Sequence, residues 1–398
     1  MKILCLIDSL GSGGAQRQLV TLAIGLKKRG HQLRFLVYHQ DDHFLPLLQE
    51  AGIPCQMIPS CSYLKRVFVL RKVLRQGWQD VVLAFLEASS FYAELACIPK
   101  QRWGLVVGER FANTAMNKGV SAWLRQFHRM ADAIVCNSYT NKIMVESVFP
   151  FLKNKLFVIY NMVDLKLFSA FQDKIDGVSF PDRPFRIVVV ASYLERKNMM
   201  NVAKALSILK EKQSTPSMLV DWFGGMPANS SAFNNVKQYI DENKLNELLH
   251  LHSSTRNIAK ELSCADAVGL FSFFEGLPNA VCEGMASGKP ILLSNVCDAG
   301  NLVKNGKNGY LCNPDSPEDI AEKILNMFSL SEHERQRMGK ESRRMAEQFF
   351  LEDIVIDRYE VILTSVLNHQ PLPFDVFWPN EVPESAAMTV NRWLQVST

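Results

Sequence analysis

The chain has 398 residues, about the length of two ordinary domains; 47% of its residues are apolar and 21% are charged. This balance is typical of a folded globular protein and excludes an intrinsically disordered chain. The net charge of +4 suits phosphorylated ligands or anionic lipid headgroups but is too small to indicate a nucleic-acid-binding protein.

Cysteine and histidine usage predicts a reducing compartment and no metal site. The nine cysteines occur singly without C-x-x-C spacing, so we expect reduced thiols. The eight histidines form no H-E-x-x-H pattern or ligand-like cluster. The apolar run at the amino terminus ends at Asp8 and suits a buried strand better than a signal peptide. The sequence contains no run of 18 apolar residues that would predict a membrane span, and we therefore expect a cytoplasmic protein.

Short apolar, β-rich runs alternate with helical patterns through the first half of the chain. This alternation predicts a doubly wound, mainly parallel α/β sheet. The predicted strands are Ile3–Ile7, Leu33–Tyr38, Val81–Phe85, Leu105–Gly108, Ala133–Cys136 and Leu156–Ile159. The predicted helices include Ala15–Arg29, Leu64–Gln76 and Ser121–Met130.

A polar break at about 165–184 precedes a second α/β series. Its predicted strands are Arg186–Ala191, Leu219–Phe223, Leu249–His252, Ala267–Phe271 and Pro290–Ser294. Its predicted helices are Asn198–Lys212, Ile258–Ser263, Asn279–Ser287 and Pro317–Asn326. We therefore expect two Rossmann-like domains, at 1–167 and 184–349, that face a central cleft with the carboxyl ends of their strands. The tail after about His369 is expected to be a surface extension.

A glycine-rich loop follows the first predicted strand. It reads Leu-Gly-Ser-Gly-Gly-Ala-Gln at 10–16 and opens a helix, so the amides of Gly13 and Gly14 are expected to approach a phosphate. Gln16 occupies the place of the last glycine of a dinucleotide fingerprint, which disfavours a dehydrogenase. A tight strand-to-helix turn without a ligand is the alternative.

Two charged stretches of the first half each leave two interpretations open. The segment 65–75 carries five basic residues and no acid, which suits either a membrane-surface helix or a packed helix whose cations reach solvent. Glu109 and Arg110 follow a predicted strand at the cleft, where they contact donor phosphate or acceptor, or simply form a local ion pair.

The stretch 274–286, Phe-Glu-Gly-Leu-Pro-Asn-Ala-Val-Cys-Glu-Gly-Met-Ala, is the most informative part of the sequence. It follows a buried strand; Gly276 and Pro278 shape a turn, and Asn279 is the expected N-cap of the next helix. Glu275 is placed on the loop and Glu283 about one turn into the helix. Such carboxylates can accept hydrogen bonds from sugar hydroxyls, and the backbone amides of the 276–279 stretch, which belong to Gly276, Leu277 and Asn279, can meet negative charge. The alternative is that Glu283 is an exposed acid on the helix face and Glu275 an ordinary acid on the loop.

This stretch resembles the E-x7-E motif of retaining glycosyltransferases with the GT-B fold, specifically glycosyltransferase family 4. Three further segments resemble the family in order and spacing. The loop Gly11–Gln18 is similar to its Gly-Gly-Ala-Glu loop, with Gln16 in place of the acid; Val158–Asp164 is similar to its hinge, with Met162 in place of glycine; and Asn301–Pro314 is similar to its turn after the E-x7-E helix. Tyr359 matches the carboxyl-terminal helix, which implies that about 350–398 joins the first domain.

The resemblance also implies the site and the reaction. Family members hold the donor diphosphate with an arginine at a strand end and a lysine five residues later. Lys197 matches that lysine, but Ser192 stands at the arginine position, and we expect Arg196 to supply the second positive charge. A solvated basic helix start is the alternative. The resemblance assigns Glu283 to the ribose hydroxyls and Glu275 to the transferred sugar.

The resemblance thus implies a metal-independent retaining glycosyltransferase. It would move a hexose or N-acetylhexosamine from a nucleoside-diphosphate sugar to a hydroxyl group of a glycan or lipid-linked acceptor. The nucleoside-diphosphate sugar is a co-substrate, and no cofactor is expected. The expected setting is bacterial surface polysaccharide synthesis, in the cytoplasm or on the inner face of the membrane. A sugar-nucleotide epimerase of the same fold and a non-catalytic sugar-nucleotide-binding protein are the alternatives.

Overall fold

The structure is a computed structural model that describes residues 1–58, 62–99, 103–110, 116–169, 183–211, 217–225, 231–372 and 382–397. The chain forms two compact units. The first comprises Met1–Met162, Glu352–Val382 and Val390–Thr398, and the second comprises Val163–Leu351 and Pro383–Thr389. Among the described helices, none is both long and apolar enough to cross a bilayer.

Strands and helices alternate through the first unit. They are β1 (Lys2–Leu6), α1 (Gly14–Lys28), β2 (Gln32–Val37), α2 (Leu45–Glu50), β3 (Cys55–Met57), α3 (Tyr63–Leu74), β4 (Val81–Phe85), α4 (Glu87–Ala96), β5 (Gly104–Glu109), α5 (Gly119–Arg125), β6 (Ala133–Cys136), α6 (Tyr139–Val148) and β7 (Leu156–Val158). Short 3-10 helices lie at Gln126–Met130 and Pro150–Lys155.

The second unit repeats this alternation. Its elements are α7 (Leu165–Ser169), β8 (Phe185–Val190), a 3-10 helix (Glu195–Lys197), α8 (Met199–Glu211), β9 (Met218–Gly224), α9 (Ser231–Glu242), β10 (Leu249–Ser253), α10 (Ile258–Ser263), β11 (Ala267–Leu270), α11 (Asn279–Ala286), β12 (Ile291–Ser294), α12 (Ala299–Leu302), β13 (Gly309–Cys312), α13 (Pro317–Phe328) and α14 (Glu332–Phe350). Two helices complete the chain, α15 (Glu352–Leu367) and α16 (Glu384–Ser397).

Both sheets are parallel, with the strand order of a doubly wound fold. The first unit has seven strands in the order β3-β2-β1-β4-β5-β6-β7, and the second has six in the order β10-β9-β8-β11-β12-β13. Every residue of β4 and β5 is buried, as expected for strands with helices on both faces. The core of the first unit also includes the α15 side chains Val355, Ile356, Tyr359 and Ile362. The predicted α/β fold class is confirmed.

The structure adds elements that the periodicity did not predict. The edge strands β3 and β13 have only three and four residues, too few for a recognisable alternation. The predicted helix Ser121–Met130 is instead α5 followed by a 3-10 helix. The tail carries the 14-residue helix α16, whereas most of the predicted linker, at 170–182, lies outside the described residues.

Candidate active site

Glu275 lies on the turn that follows β11 and is held there by three contacts. Its carboxylate pairs with Lys197 and accepts a hydrogen bond of 2.6 Å from the Ser272 hydroxyl, while its backbone amide donates to Cys297 Sγ over 3.3 Å. The side chains of Glu275 and Lys197 are only 11% and 13% exposed. The prediction placed both residues near the donor, and the structure brings them into direct contact although 78 positions separate them.

Lys197 reaches this position because the loop after β8 is hydrogen-bonded to neighbouring segments. Adjacent strands β8 and β11 present their carboxyl ends at one edge of the sheet. Asn198 adopts the left-handed conformation, and its side-chain amide donates to the carbonyls of Phe271 at 2.9 Å and Pro314 at 2.7 Å. The Phe273 amide donates to the Arg196 carbonyl at 2.9 Å. The two loops therefore hold each other in register.

Arg196 and Ser192 lie on the same loop in different surroundings. The Arg196 side chain is exposed, and within the described ranges it makes no hydrogen bond or ion pair. Ser192 is half-buried beside the end of β9. A Cβ atom on Gly224 would come within 2.1 Å of the Ala191 carbonyl, so only glycine allows β9 to approach this loop. Arg196 is thus a cation available for a ligand, whereas the backbone around Ser192 is tightly packed.

Glu283 lies one turn into α11 and is 8% exposed. A Cβ atom on Gly284 would lie 2.8 Å from the Val268 side chain of β11, so glycine allows α11 to pack closely against this strand. The alternative that Glu283 is an exposed acid on the helix face is therefore wrong, whereas Glu275 is an acid on a loop, although its side chain is mostly buried. The predicted N-cap is also wrong, because Pro278 occupies the N-cap and Asn279 is the first helical residue. Leu277 and Pro278 are buried and Gly276 is half-buried in the turn.

The tail supports this turn, a role that no pattern in the sequence indicated. The Ser385 hydroxyl donates to the Cys297 carbonyl at 2.7 Å, and the Cys297 amide donates to the Thr389 hydroxyl at 2.8 Å. Cys297 has a φ of +54° and supplies the sulfur atom that accepts from Glu275. The start of α16 therefore fixes the residue that supports Glu275.

In the first unit, the glycine loop forms the start of α1. Gly13 is the N-cap and Gly14 the first helical residue, and both are exposed. The Gln16 side chain donates to Asp8 at 2.9 Å. It packs so close to Gly13 that a Cβ atom there would lie 2.2 Å from the Gln16 amide oxygen. Buried Gln18 exchanges two hydrogen bonds, of 2.9 and 2.7 Å, with the Met162 backbone. Side-chain hydrogen bonds therefore hold the loop on both sides, while Gly13 and Gly14 remain exposed.

Glu109 belongs to a buried charge network and forms no ion pair with Arg110. It accepts from Arg125 at 3.0 Å and from His128 at 2.8 Å, and His128 also contacts Glu94. Burial alone would raise the pKa of Glu109, but Arg125 and His128 outweigh it and lower the pKa to about 2. Burial alone would lower the pKa of His128, but Glu94 and Glu109 raise it to about 10. Glu109 therefore stabilises the end of β5 internally.

Arg110 and Arg358 are cations without a carboxylate partner among the described residues. Arg110 lies over the Phe85 ring at 4.1 Å and donates to Asn161 at 3.3 Å, but its Nε has no acceptor. Arg358 of α15 is 7% exposed, and its Nη1 has no acceptor. Burial lowers the pKa of each guanidinium. Arg358 was missed because a single arginine within a helix carries no recognisable pattern.

A group of possible metal ligands corrects the prediction that the histidines form no cluster. Asp221, His250 and His252 place one ligand atom each within 4.8 Å of one another. The available signal was the His-x-His spacing on a strand, which puts both rings on one face. The eight described cysteines are free thiols, and Cys61 lies outside the described residues.

Two family models together match most of the chain. Residues 12–167 match the model described as Glycosyltransferase Family 4, and residues 171–345 match the model described as Glycosyl transferases group 1. The E-x7-E stretch lies within the second match, and Gly13 and Gly14 of the glycine loop lie within the first.

Curated relatives and solved structures agree with these matches. The chain is 24% identical to a Campylobacter jejuni alpha-1,4-N-acetyl-D-galactosaminyltransferase acting on a diNAcBac-PP-undecaprenol glycan, over 89% of this chain and 96% of the relative. It is 23% identical to the alpha-1,3/1,6-mannosyltransferase ALG2 of Rhizomucor pusillus, over 91% of each. In fold it resembles a Rickettsia africae glycosyltransferase, with a TM-score of 0.79, 19% identity and coverage of 93% of this chain and 99% of that one. It also resembles Anabaena HepE solved with UDP and glucose, with a TM-score of 0.74, 20% identity and coverage of 92% and 100%.

Proposed function

We propose a specific reaction for this chain, which belongs to the GT-B glycosyltransferases of family 4 and is itself a glycosyltransferase. It transfers a hexose or N-acetylhexosamine from a nucleoside-diphosphate sugar to a hydroxyl acceptor, with retention at the anomeric carbon. The observation that carries this proposal is the contact between Lys197 and Glu275, with Glu283 buried on the helix that follows the same turn.

In the donor complex, Lys197 exchanges its carboxylate partner for the diphosphate. The bond between the anomeric carbon and the phosphate oxygen breaks, and negative charge builds up on the leaving nucleoside diphosphate. Lys197 and Arg196 stabilise that charge, which is where preorganised electrostatics contribute most to catalysis. Glu275, released from Lys197, accepts hydroxyls of the transferred sugar, and Glu283 accepts those of the ribose.

The acceptor hydroxyl attacks the anomeric carbon on the face that the phosphate leaves. Its proton passes to a leaving phosphate oxygen, so atoms and charge balance without a protein nucleophile. The described part of the turn after β11 offers Glu275 alone as a carboxylate near the transferred sugar, and once Lys197 has left it, the Ser272 hydroxyl and the sugar hydroxyls engage it. We therefore favour this front-side route over the double displacement of retaining glycosidases.

Gly13, Gly14 and Arg110 are further candidate substrate contacts. Gly13 and Gly14 are exposed at the start of α1, where their backbone amides suit a phosphate oxygen of the substrate. Arg110, without a carboxylate partner in the described ranges, suits an anionic or hydroxyl group of the substrate. Glu109 acts through the network that holds the end of β5 and does not itself contact substrate.

The setting is bacterial surface glycan synthesis at the cytoplasmic face of the membrane, and α3 supports the membrane contact. Tyr63, Leu64 and Phe68 are 51%, 73% and 71% exposed on this basic helix. Apolar side chains beside lysines are typical of helices that lie in a membrane interface. The named C. jejuni relative supports a lipid-linked acceptor. Leu64→Ser should reduce co-sedimentation with anionic vesicles, and unchanged binding would contradict the membrane contact.

One experiment tests the reaction and separates it from its alternatives. Nucleoside-diphosphate sugars are screened by thermal shift, because a ligand that binds the native state raises the unfolding temperature. The stabilising donor is then incubated with and without candidate acceptors, and the products are followed by NMR. A new glycoside with the anomeric configuration of the donor supports retaining transfer, and an inverted product contradicts it. Interconversion of the donor indicates an epimerase, and tight binding without turnover indicates a non-catalytic protein.

A further inference from the structure

Asp221, His250 and His252 lie on one face of the sheet of the second unit, at its β10 edge. In the parallel register of β9 and β10, His250 pairs with Asp221, and His252 lies two residues further along the same strand. Asp221 Oδ1 is 3.5 Å from His250 Nδ1 and 2.7 Å from His252 Nε2. The two imidazoles are 44% and 39% exposed, whereas Asp221 is buried. The cluster is therefore a carboxylate at the base with two imidazoles open to solvent.

We propose that these three residues bind a divalent transition-metal ion of the zinc class. Two imidazoles, one carboxylate and one water complete a tetrahedral zinc site. Ligands about 2.0–2.2 Å from an ion lie about 3.3–3.6 Å from one another. The 3.5 Å contact already has this spacing, and small rotations of the half-exposed imidazoles bring in the third ligand. Hard cations such as magnesium prefer sites with oxygen ligands only, which disfavours them here.

The surrounding residues leave one carboxylate oxygen for the ion and hold the ligands in place. Arg186 donates to Asp221 Oδ2 at 2.6 Å and to Glu261 at 2.6 Å, so Oδ1 faces the imidazoles alone. With Arg186, Asp221 and Glu261 ionised, the group carries a net charge of about −1, which favours a cation. The ring of His252 stacks on Phe223 at 4.5 Å between centroids, which restricts its orientation. Such support is characteristic of protein metal sites.

Tyr193 connects the site to the loop that follows β8 and carries Lys197. The Tyr193 hydroxyl lies 2.7 Å from the His252 carbonyl and 2.9 Å from the Trp222 carbonyl, and the Trp222 indole donates to the Ala191 carbonyl at 2.8 Å. A metal ion that ties β9 to β10 therefore stabilises the strand ends against which this loop packs. Its role is structural, separate from the transfer reaction, and its binding is measurable whether or not the proposed reaction is correct.

Titration of the untagged, metal-stripped full chain with Zn²⁺ and, separately, with Co²⁺ tests the proposal. We expect one tight site per chain by calorimetry, a visible Co²⁺ spectrum typical of four-coordination, and a higher unfolding temperature in Zn²⁺. The double variant His250→Ala/His252→Ala should weaken the tight site by at least about 100-fold, since second-shell changes alone cost about 10–100-fold.

His333→Ala is the matched control, because His333 is exposed on α14. It should bind like the unsubstituted chain, and unfolding without metal should show that both variants are folded. Absence of a stoichiometric site overturns the proposal, as does binding that persists in the double variant. Single-alanine variants provide a second measurement if the double variant fails to fold. An undiminished affinity in His250→Ala and in His252→Ala likewise refutes the site.

Discussion

The ion pair between Lys197 and Glu275 allows catalytic and structural roles to be separated by a double-mutant cycle. Lys197→Met and Glu275→Gln are made singly and together. Each single change leaves one nearly buried charge without its partner, because the two side chains are 13% and 11% exposed. The double change removes both charges while keeping similar volumes.

The substitutions are expected to change the free energy of unfolding and the transfer rate in different ways. Breaking a buried pair by removing one partner costs about 3–5 kcal/mol, and we expect Lys197→Met to lie at the lower end because Ser272 continues to donate to Glu275. Removing both charges is often close to neutral, so the double variant should recover most of that loss. The transfer rate should not recover, because loss of a group that stabilises leaving-group charge costs about 10²–10³-fold in kcat.

Free energies of unfolding come from urea denaturation, and kcat comes from donor consumption in the presence of acceptor. Lys204→Met is the control, since Lys204 is exposed on α8 and its substitution removes the same charge without breaking the pair. A double variant that regains both stability and turnover would refute the reasoning. The pair would then maintain the fold of the turn without taking part in the transfer.

The remaining predictions concern the donor contacts and the buried network of the first unit. Glu283→Gln should weaken donor binding about 10–100-fold by calorimetry, because charge-assisted hydrogen bonds are worth about 1.5–3 kcal/mol each. Arg196→Ala should lower kcat about tenfold or more, and adding Ser192→Arg should recover part of it by restoring a guanidinium near the diphosphate. The free energy of unfolding should fall as the pH rises from about 6.5 through 10, because His128 has a folded pKa of about 10 against an ordinary 6.5. His128→Gln should remove that part of the pH dependence.

Each of these predictions has an outcome that would contradict it. Glu318→Gln neutralises an exposed acid on α13 and should leave donor affinity unchanged. Equal donor affinities for Glu283→Gln and Glu318→Gln would exclude the ribose role. If Arg196→Ala retains full turnover, another group supplies the second positive charge. For His128, the free energy of unfolding is measured as a function of pH for the unsubstituted chain and for His128→Gln, so that the contributions of all other titrating groups cancel in the difference. Parallel pH dependences would contradict the contribution of His128.

Local patterns were sufficient to predict the fold class and the turn between β11 and α11. The alternation of short apolar runs with helical stretches predicts parallel α/β sheets, because a strand covered on both faces must be apolar throughout. The turn residues Gly276 and Pro278 placed Glu275 between a strand and a helix, where the structure also has it. These features depend on neighbours within about ten residues, and such neighbours are visible in the sequence itself.

Which distant side chains meet was decided by the tertiary structure. Lys197 contacts Glu275 because β8 and β11 are adjacent in the sheet, and Glu109 contacts Arg125 and His128 in place of its neighbour Arg110. The His-x-His spacing on β10 became a candidate site only when strand pairing brought Asp221 beside it. Strand order and burial determine these contacts, and neither is encoded in the periodicity of a single segment. The sequence alone therefore determined the fold class, whereas packing decided the partners of each charge.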